Sequence, residues 1–268
     1  MTPSDEAAPP RSGGGTAASG PGVRTLIVTP TYVEAPNVEL FIETVRAIVP
    51  DADILVVDDN SPDGTADLAE AKGAELGRVH VLRRPVKDGL GNAYRAGFGW
   101  GLDHSYERLV QIDVDGQHDP AVIPQLLARL DDGAGVAIGS RYVVGGSTPN
   151  WPLHRRLLSK WGNAYATWLL GLELHDATAG FRAYRADVLE AIDFRDTIAN
   201  GYAFQMEVAY RLAAWGGRID EVPIAFTDRM RGQSKMSGRI MAESMILVTR
   251  WGIRDRFRAL RAPGHEPS

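Results

Sequence analysis

The chain contains no cysteine. A disulfide framework and a thiolate metal centre are therefore excluded, and the absence agrees with a reducing cytoplasm. Long apolar runs are missing too. Nothing approaches the roughly 18 to 20 apolar residues that span a bilayer, the longest uncharged candidate being Ala164 to Leu172. Residues 1–22 are rich in Pro, Gly, Ser and Ala and lack a basic-then-apolar signal pattern, which predicts a disordered tail. The missing motifs narrow the chemistry further. There is no Walker lysine, and Gly89-Leu90-Gly91 carries Tyr94 where a dinucleotide fingerprint needs a third small residue. None of Ser61, Ser140, Ser159 or Ser234 sits in a Gly-x-Ser-x-Gly elbow. No zinc-finger, RNP-like or helix-turn-helix signature is present, which disfavours nucleic acid as a partner.

With 268 residues and 44% hydrophobic content, the chain is long enough to bury one large core. Its net charge of −5 conceals an asymmetry. Between Asp51 and Leu76 there are eight acidic residues and one basic residue, whereas Arg229 to Arg261 holds nine basic residues against Glu243 and Asp255. A basic end suggests an anionic partner. The apolar pattern alternates strand and helix. Strands are expected at Val23–Thr29, broken by Pro30, and at 52–57, 79–82, 107–112 and 135–138. Helices are expected at 36–49, 66–76, 92–104 and 121–130. Repeated βα units imply a mostly parallel, doubly wound sheet with helices on its faces and ligands at the carboxyl ends of its strands. Beyond Ser140 the rhythm breaks. Trp151 to Leu172 reads as a loop entering an amphipathic, cationic helix, followed by helices at 187–192 and 203–215, a strand near 218–224 and a last amphipathic helix from about Ile240.

Asp113-Val114-Asp115-Gly116-Gln117 follows an apolar strand. If the backbone stayed extended, Asp113, Asp115 and Gln117 would share one face and offer three oxygens to one hard cation such as Mg2+ or Mn2+. A plain turn is the competing reading, since Asp and Gly favour turns through local hydrogen bonds.

Further stretches stand at the other strand ends: Thr29-Pro30-Thr31-Tyr32-Val33-Glu34, Val57-Asp58-Asp59-Asn60-Ser61-Pro62-Asp63-Gly64-Thr65 and Gly89-Leu90-Gly91-Asn92-Ala93. With Gly139-Ser140-Arg141-Tyr142, Thr178-Ala179-Gly180-Phe181-Arg182, Arg229 and Gly232-Gln233-Ser234-Lys235, the set resembles the dolichol or polyprenol monophosphate mannose synthases over roughly residues 24 to 252. These are inverting glycosyltransferases of family 2 with the GT-A fold, a Rossmann-like, mostly parallel sheet flanked by helices. The resemblance implies transfer of mannose from GDP-mannose to a polyprenyl phosphate, giving a β-linked product. It implies that Pro30, Tyr32, Glu34, Val57 and Asp59 line the nucleotide, and that Asp113, Val114 and Asp115 face the diphosphate. Asp115 and Gln117, with Asp113 close by, would hold Mg2+ or Mn2+. Arg141, Arg229 and Lys235 would hold phosphate charge, and Arg141, Arg155 and Ser159 would contact the acceptor phosphate. Asp113, Asp115 and Arg141 are the implied catalytic residues.

The implied organisation is a tail at 1–22, a catalytic domain at 23–252 and a basic tail at 253–268. Within that domain lie an acceptor-side helix at 153–172 and a terminal amphipathic helix at 239–252. The implied location is cytoplasmic, peripheral on the cytoplasmic membrane face, with docking through either amphipathic helix or an integral membrane partner protein. Two alternatives stay open at this stage: a family 2 enzyme moving glucose or another sugar to polyprenyl phosphate, and a catalytically silent GT-A binding subunit.

Overall fold

A computed structural model describes residues 22–199, 202–227 and 245–254. The expected tail at 1–22 falls almost entirely outside them, as do residues 239–244 of the terminal helix and 255–268 of the basic end. The described chain runs β1 (Thr25–Thr31), α1 (Ala35–Ile48), β2 (Asp53–Asp58), α2 (Thr65–Leu76), β3 (Val79–Arg83), α3 (Leu90–Asp103), β4 (Arg108–Gln111), α4 (Ile123–Asp131) and β5 (Val136–Ser140). It continues through α5 (Leu153–Leu170), β6 (Arg182–Arg185), α6 (Ala186–Ala191), α7 (Tyr202–Trp215), β7 (Ile219–Pro223) and α8, residues 245–254.

Seven strands form one sheet in the order β3-β2-β1-β4-β6-β5-β7. Every pairing is parallel except those of β6, which runs antiparallel to both β4 and β5. Strand β6 has no counterpart in the sequence-based expectation, because only four residues form it, two of them arginine. The mostly parallel α/β sheet is otherwise as expected. Its apolar strands are buried on both faces. One core cluster gathers Leu26, Val28, Leu55, Val57 and Leu109 with α3, α6 and α7, and the other gathers Ile27, Ile54, Val56, Val110 and Ile112 with α1 and α4.

Pro30 does not break β1. The strand continues to Thr31, with Pro30 paired to Val57. Carbonyls of alternate residues serve alternate neighbours: Val28 accepts from Ile112 on the β4 side and Thr31 from Asp59 on the β2 side. Pro30 therefore turns its nitrogen toward β4, which has already ended at Gln111, and no ladder bond is lost.

Helix α3 lies unusually close to the sheet because its sequence supplies glycine at the contact. A Cβ on Gly97 would stand 2.5 Å from Val28 Cγ1 and 2.9 Å from Val57 Cγ2. Alanine favours a helix interior by about 1 kcal/mol over glycine, but overpacking of a filled core costs about 1–3 kcal/mol. Gly97→Ala is therefore expected to destabilise the fold by about 1–2 kcal/mol. The check is a lower urea midpoint with an unchanged slope.

The chain order reverses direction at β1, with β2 on one side and β4 on the other. In such sheets the crevice outside the carboxyl ends of the strands at this switch point receives ligands. The segments that leave there are Tyr32–Glu34 after β1 and Asp113–His118 after β4.

Candidate active site

Two loops form the first wall. The Thr31 hydroxyl donates to Asp58 Oδ1 at 2.9 Å, and Ser61 donates to the same carboxylate from its hydroxyl (2.6 Å) and its amide (2.8 Å). The Val33 amide donates to Ser61 Oγ, the Glu34 amide to Thr65 Oγ1 and the Ala35 amide to Asp63 Oδ2. These bonds stitch the segment after β1 to the segment after β2. Val33 has φ +58° and Asn60 φ +57°. For a β-branched residue such as Val33 this left-handed conformation is costly, and strain of that kind is retained at binding sites. Tyr32, Glu34 and Asp59 thus stand on one wall. Asp59 is buried against Arg84, and burial raises its pKa despite that cation. Lys87 Nζ lies 3.8 Å from the Tyr32 ring centre. Arg84 and Lys87 are cations that the motif reading passed over. Val57 and Val114 are buried in the two core clusters, so only their backbones are available to a ligand.

The loop after β4 is a turn, which corrects the expectation of a shared face on an extended strand. The strand ends at Gln111, Gly116 adopts φ +73° and Asp115 Oδ1 accepts from the Gln117 amide at 3.1 Å. Local side-chain bonding to the backbone has replaced strand geometry here. Asp115 and Gln117 are buried, and Asp113 is partly so. Tyr94 on α3 donates to Asp113 Oδ1 at 2.7 Å. Burial first, and then the Asp113 charge, push the Tyr94 phenol well above its ordinary pKa, so it remains a donor. Gln117 Nε2 donates to the Thr227 carbonyl at 3.2 Å, which turns the amide oxygen away from that carbonyl. The donor set of two carboxylates and one amide oxygen suits a hard divalent cation. Among the described residues no group of three His, Asp or Glu side chains could hold one alone.

His118 closes this turn against Phe181 and Phe226. Burial, with the nearby Arg141 charge, pushes its pKa down to about 3, so the ring is neutral at physiological pH. Phe226 also faces Arg141, whose guanidinium carbon lies 5.5 Å from the Phe226 ring centre, 5.1 Å from Tyr142 and 5.9 Å from Trp151. Arg141 is 8% exposed and forms a two-pronged ion pair with fully buried Asp176, with Nε to Oδ2 and Nη2 to Oδ1 both at 2.7 Å. It also donates to Thr178 Oγ1. Arg155 stacks on Trp151 at 3.9 Å, and Ser159 shares a 2.6 Å hydrogen bond with the Tyr142 hydroxyl. The structure thus gathers Arg141, Arg155 and Ser159 around Tyr142 and Trp151, linked to the Asp115 turn through Phe226 and His118. Arg229 and Lys235 lie outside the described residues.

Asp176 is the residue that motif reading missed. It precedes Thr178-Ala179-Gly180-Phe181-Arg182 by two positions, and a carboxylate there is the natural mate of a buried arginine. The motif itself explains the loop: fully buried Arg182 donates to the carbonyls of Ala177 (2.6 Å), Ala179 (2.8 Å) and Gln205 (3.1 Å). Glu221 on β7 accepts from the His175 and Asp176 amides, and Asn163 on α5 bridges His175 and Ala177. These bonds hold the loop on which Asp176 meets Arg141.

Residues 26–193 match the family model described as glycosyl transferase family 2. The chain belongs to glycosyltransferase family 2. Among its relatives, an undecaprenyl-phosphate mannosyltransferase of Micrococcus luteus is 50% identical over 90% of this chain and 98% of its own. A polyprenol monophosphomannose synthase of Mycolicibacterium smegmatis is also 50% identical, over 88% of this chain and 90% of its own. A solved mannosyltransferase from Pyrobaculum calidifontis, in complex with GDP-Man and Mn2+, superimposes with a TM-score of 0.58 at 16% identity, covering 91% of this chain and 66% of that one. That likeness speaks for the fold, and the fold of this family 2 transferase is GT-A.

Proposed function

We propose that this transferase moves mannose from GDP-mannose to the phosphate of a membrane polyprenol, inverting the sugar's anomeric configuration. The observation that carries the reading is the 50% identity to two enzymes named for polyprenyl phosphate mannosyl transfer, extending over nearly the whole chain. The geometry supports it: an oxygen-rich turn and a cluster of cationic and aromatic side chains meet beyond the carboxyl end of β4.

In this reading the wall of Tyr32, Glu34 and Asp59 takes the nucleotide, and the Asp113–Gln117 turn takes the diphosphate end. Mg2+ or Mn2+ would sit on Asp115 and Gln117, with Asp113 beside them, and supply positive charge to the departing diphosphate. A phosphomonoester has a second pKa of about 6 and is largely dianionic at neutral pH, so the acceptor needs no dedicated base. One acceptor oxygen forms a bond to the anomeric carbon as the bond from that carbon to the GDP oxygen breaks. The electron pair leaves with GDP, and no proton moves. The task left to the side chains is to hold two polyanions close enough for in-line attack. Arg155 and Ser159 contact the acceptor phosphate, while Arg141, already balanced by Asp176, shapes the pocket and lends charge from behind. Arg229 and Lys235 are assigned to phosphate charge on the resemblance alone.

The test is a panel of radiolabelled nucleotide sugars incubated with purified protein, polyprenyl phosphate and Mg2+ or Mn2+. GDP-mannose is expected to label the lipid, and preference for a glucose or aminosugar donor would refute the sugar assignment. EDTA is expected to abolish labelling, with either cation restoring it. Undiminished transfer in metal-free buffer would remove the cation from the account.

A further inference from the structure

Tyr94 is a fully buried phenol beside the acidic turn. Its ring is clamped. It lies parallel to Phe204, with centroids 6.0 Å and planes 2° apart, and tilted against Phe98 at 5.8 Å. Both neighbours belong to the apolar cluster that fills this side of the sheet. A hydroxyl in such surroundings costs stability unless it is bonded. Its bond is the 2.7 Å donation to Asp113 Oδ1.

The fold explains how a core tyrosine reaches that carboxylate. Helix α3 joins β3 to β4, and both strands run parallel to β1, so α3 runs back against them with its first turns at their carboxyl ends. Helical side chains tilt toward the helix N-terminus. The phenol of Tyr94, near the start of α3, is therefore carried toward the point where β4 releases Asp113. Tyr94, Gly97, Phe98 and Gly101 recur at three- and four-residue steps and share the face turned to the sheet. The two glycines set the height of that face. A Cβ on Gly101 would stand 2.6 Å from Leu109 Cδ2 and 2.9 Å from Leu26 Cδ2, a contact as close as the one at Gly97. With the helix height and the ring plane both fixed by packing, the phenol proton falls in one place. The local bond that shapes the turn acts between Asp115 and Gln117, whereas Tyr94 ties Asp113 to the core.

We infer that Tyr94 is the positioning residue for Asp113, holding its carboxylate in one orientation toward the donor diphosphate and the cation. It acts through Asp113 alone. The inference rests on the donor-site reading of the acidic turn and adds to it a preorganising contact supplied by the hydrophobic core.

The test is Tyr94→Phe, which keeps the ring and its stacking and removes only the oxygen. Near-UV circular dichroism is expected to match wild type. The Kd for GDP at fixed Mn2+, read by calorimetric titration with no sugar and no acceptor present, is expected to rise about tenfold, as for loss of one hydrogen bond to a charged group. In transfer assays kcat is expected to fall about tenfold or more while the KM for polyprenyl phosphate stays within about twofold. A general loosening of the fold would instead disturb both substrates. Asp113→Ala supplies the second arm: in that background Tyr94→Phe is expected to weaken GDP binding no further, because the group it positions is gone. Unchanged GDP affinity in Tyr94→Phe, a matching rise in the acceptor KM, or additive losses in the double variant would each overturn the assignment while leaving the donor site standing. Wild-type protein that binds no GDP in the presence of Mn2+ would overturn the donor-site reading, and the positioning role would fall with it.

Discussion

Asp115→Ala is expected to lower sugar transfer by about a thousandfold or more, equivalent to about 4 kcal/mol of transition-state stabilisation. The residue is buried, in a turn whose geometry its own Oδ1 helps to set through the Gln117 amide. On the proposed reading, removing the carboxylate deletes a cation ligand, and it also loosens the neighbour that carries the amide oxygen. Asp115→Asn separates the two effects, because an amide retains the acceptor for the Gln117 amide while losing the charge. If the turn alone mattered, Asn would restore most activity. On the present account it restores little, and a near wild-type rate for Asp115→Asn would remove Asp115 from the charge-bearing set. The measurement is initial-rate transfer at saturating donor and metal.

Asp176→Ala carries the largest expected effect on stability. Arg141 has only 8% of its surface exposed and owes its charge balance to this carboxylate. Stripping one member from a buried pair strands the other and costs about 3–5 kcal/mol. Arg141→Ala is subject to the same penalty, so a drop in acceptor use by that variant mixes binding with folding. Arg155→Ala is the cleaner probe, since Arg155 is only partly buried and its guanidinium stacks on Trp151. It is expected to raise the KM for polyprenyl phosphate about tenfold with kcat little changed, read from rates over an acceptor series. The same pair sets an acid limit. Burial alone would raise the Asp176 pKa, but the Arg141 charge and the hydrogen bonds from Arg141 and Thr178 hold it below the usual carboxylate value. A carboxyl lowered in the folded state contributes stability that is fully present above the unfolded value near 3.9 and is lost as pH falls through the folded one. Urea midpoints measured down the pH scale should show this loss only below about pH 4, and Asp176→Asn should flatten that part of the curve.

Much of this was legible from sequence because it rests on period and composition. The continuous apolar run at 54–57 could only be a strand buried on both faces, and Val38, Phe41, Ile42 and Val45 could only be the inner stripe of a helix. What escaped were features fixed by partners remote in sequence. Strand β6 is held by its two neighbours rather than by its own arginines, so no local pattern announces it. Pro30 stays in β1 only because β4 ends where its missing N–H points. The acidic turn shows the same lesson in miniature. Alternation along an extended strand was the expected geometry for its oxygens, but Gly116 at positive φ and the Asp115 side chain bend the segment into a turn. Asp176 sits 35 residues from Arg141 along the chain, and a motif that begins at Thr178 stops just short of it.

The central claim is that the acidic turn and the Arg155 pocket hold a sugar nucleotide and a lipid phosphate for one in-line displacement. The most direct test is the anomeric configuration of the lipid product, formed by purified wild-type protein from α-configured GDP-mannose and polyprenyl phosphate and read by NMR. The account predicts a β-linked mannosyl phosphate as the sole sugar-bearing lipid. An α-linked product, or mannose released to water with the lipid unmodified, would contradict it.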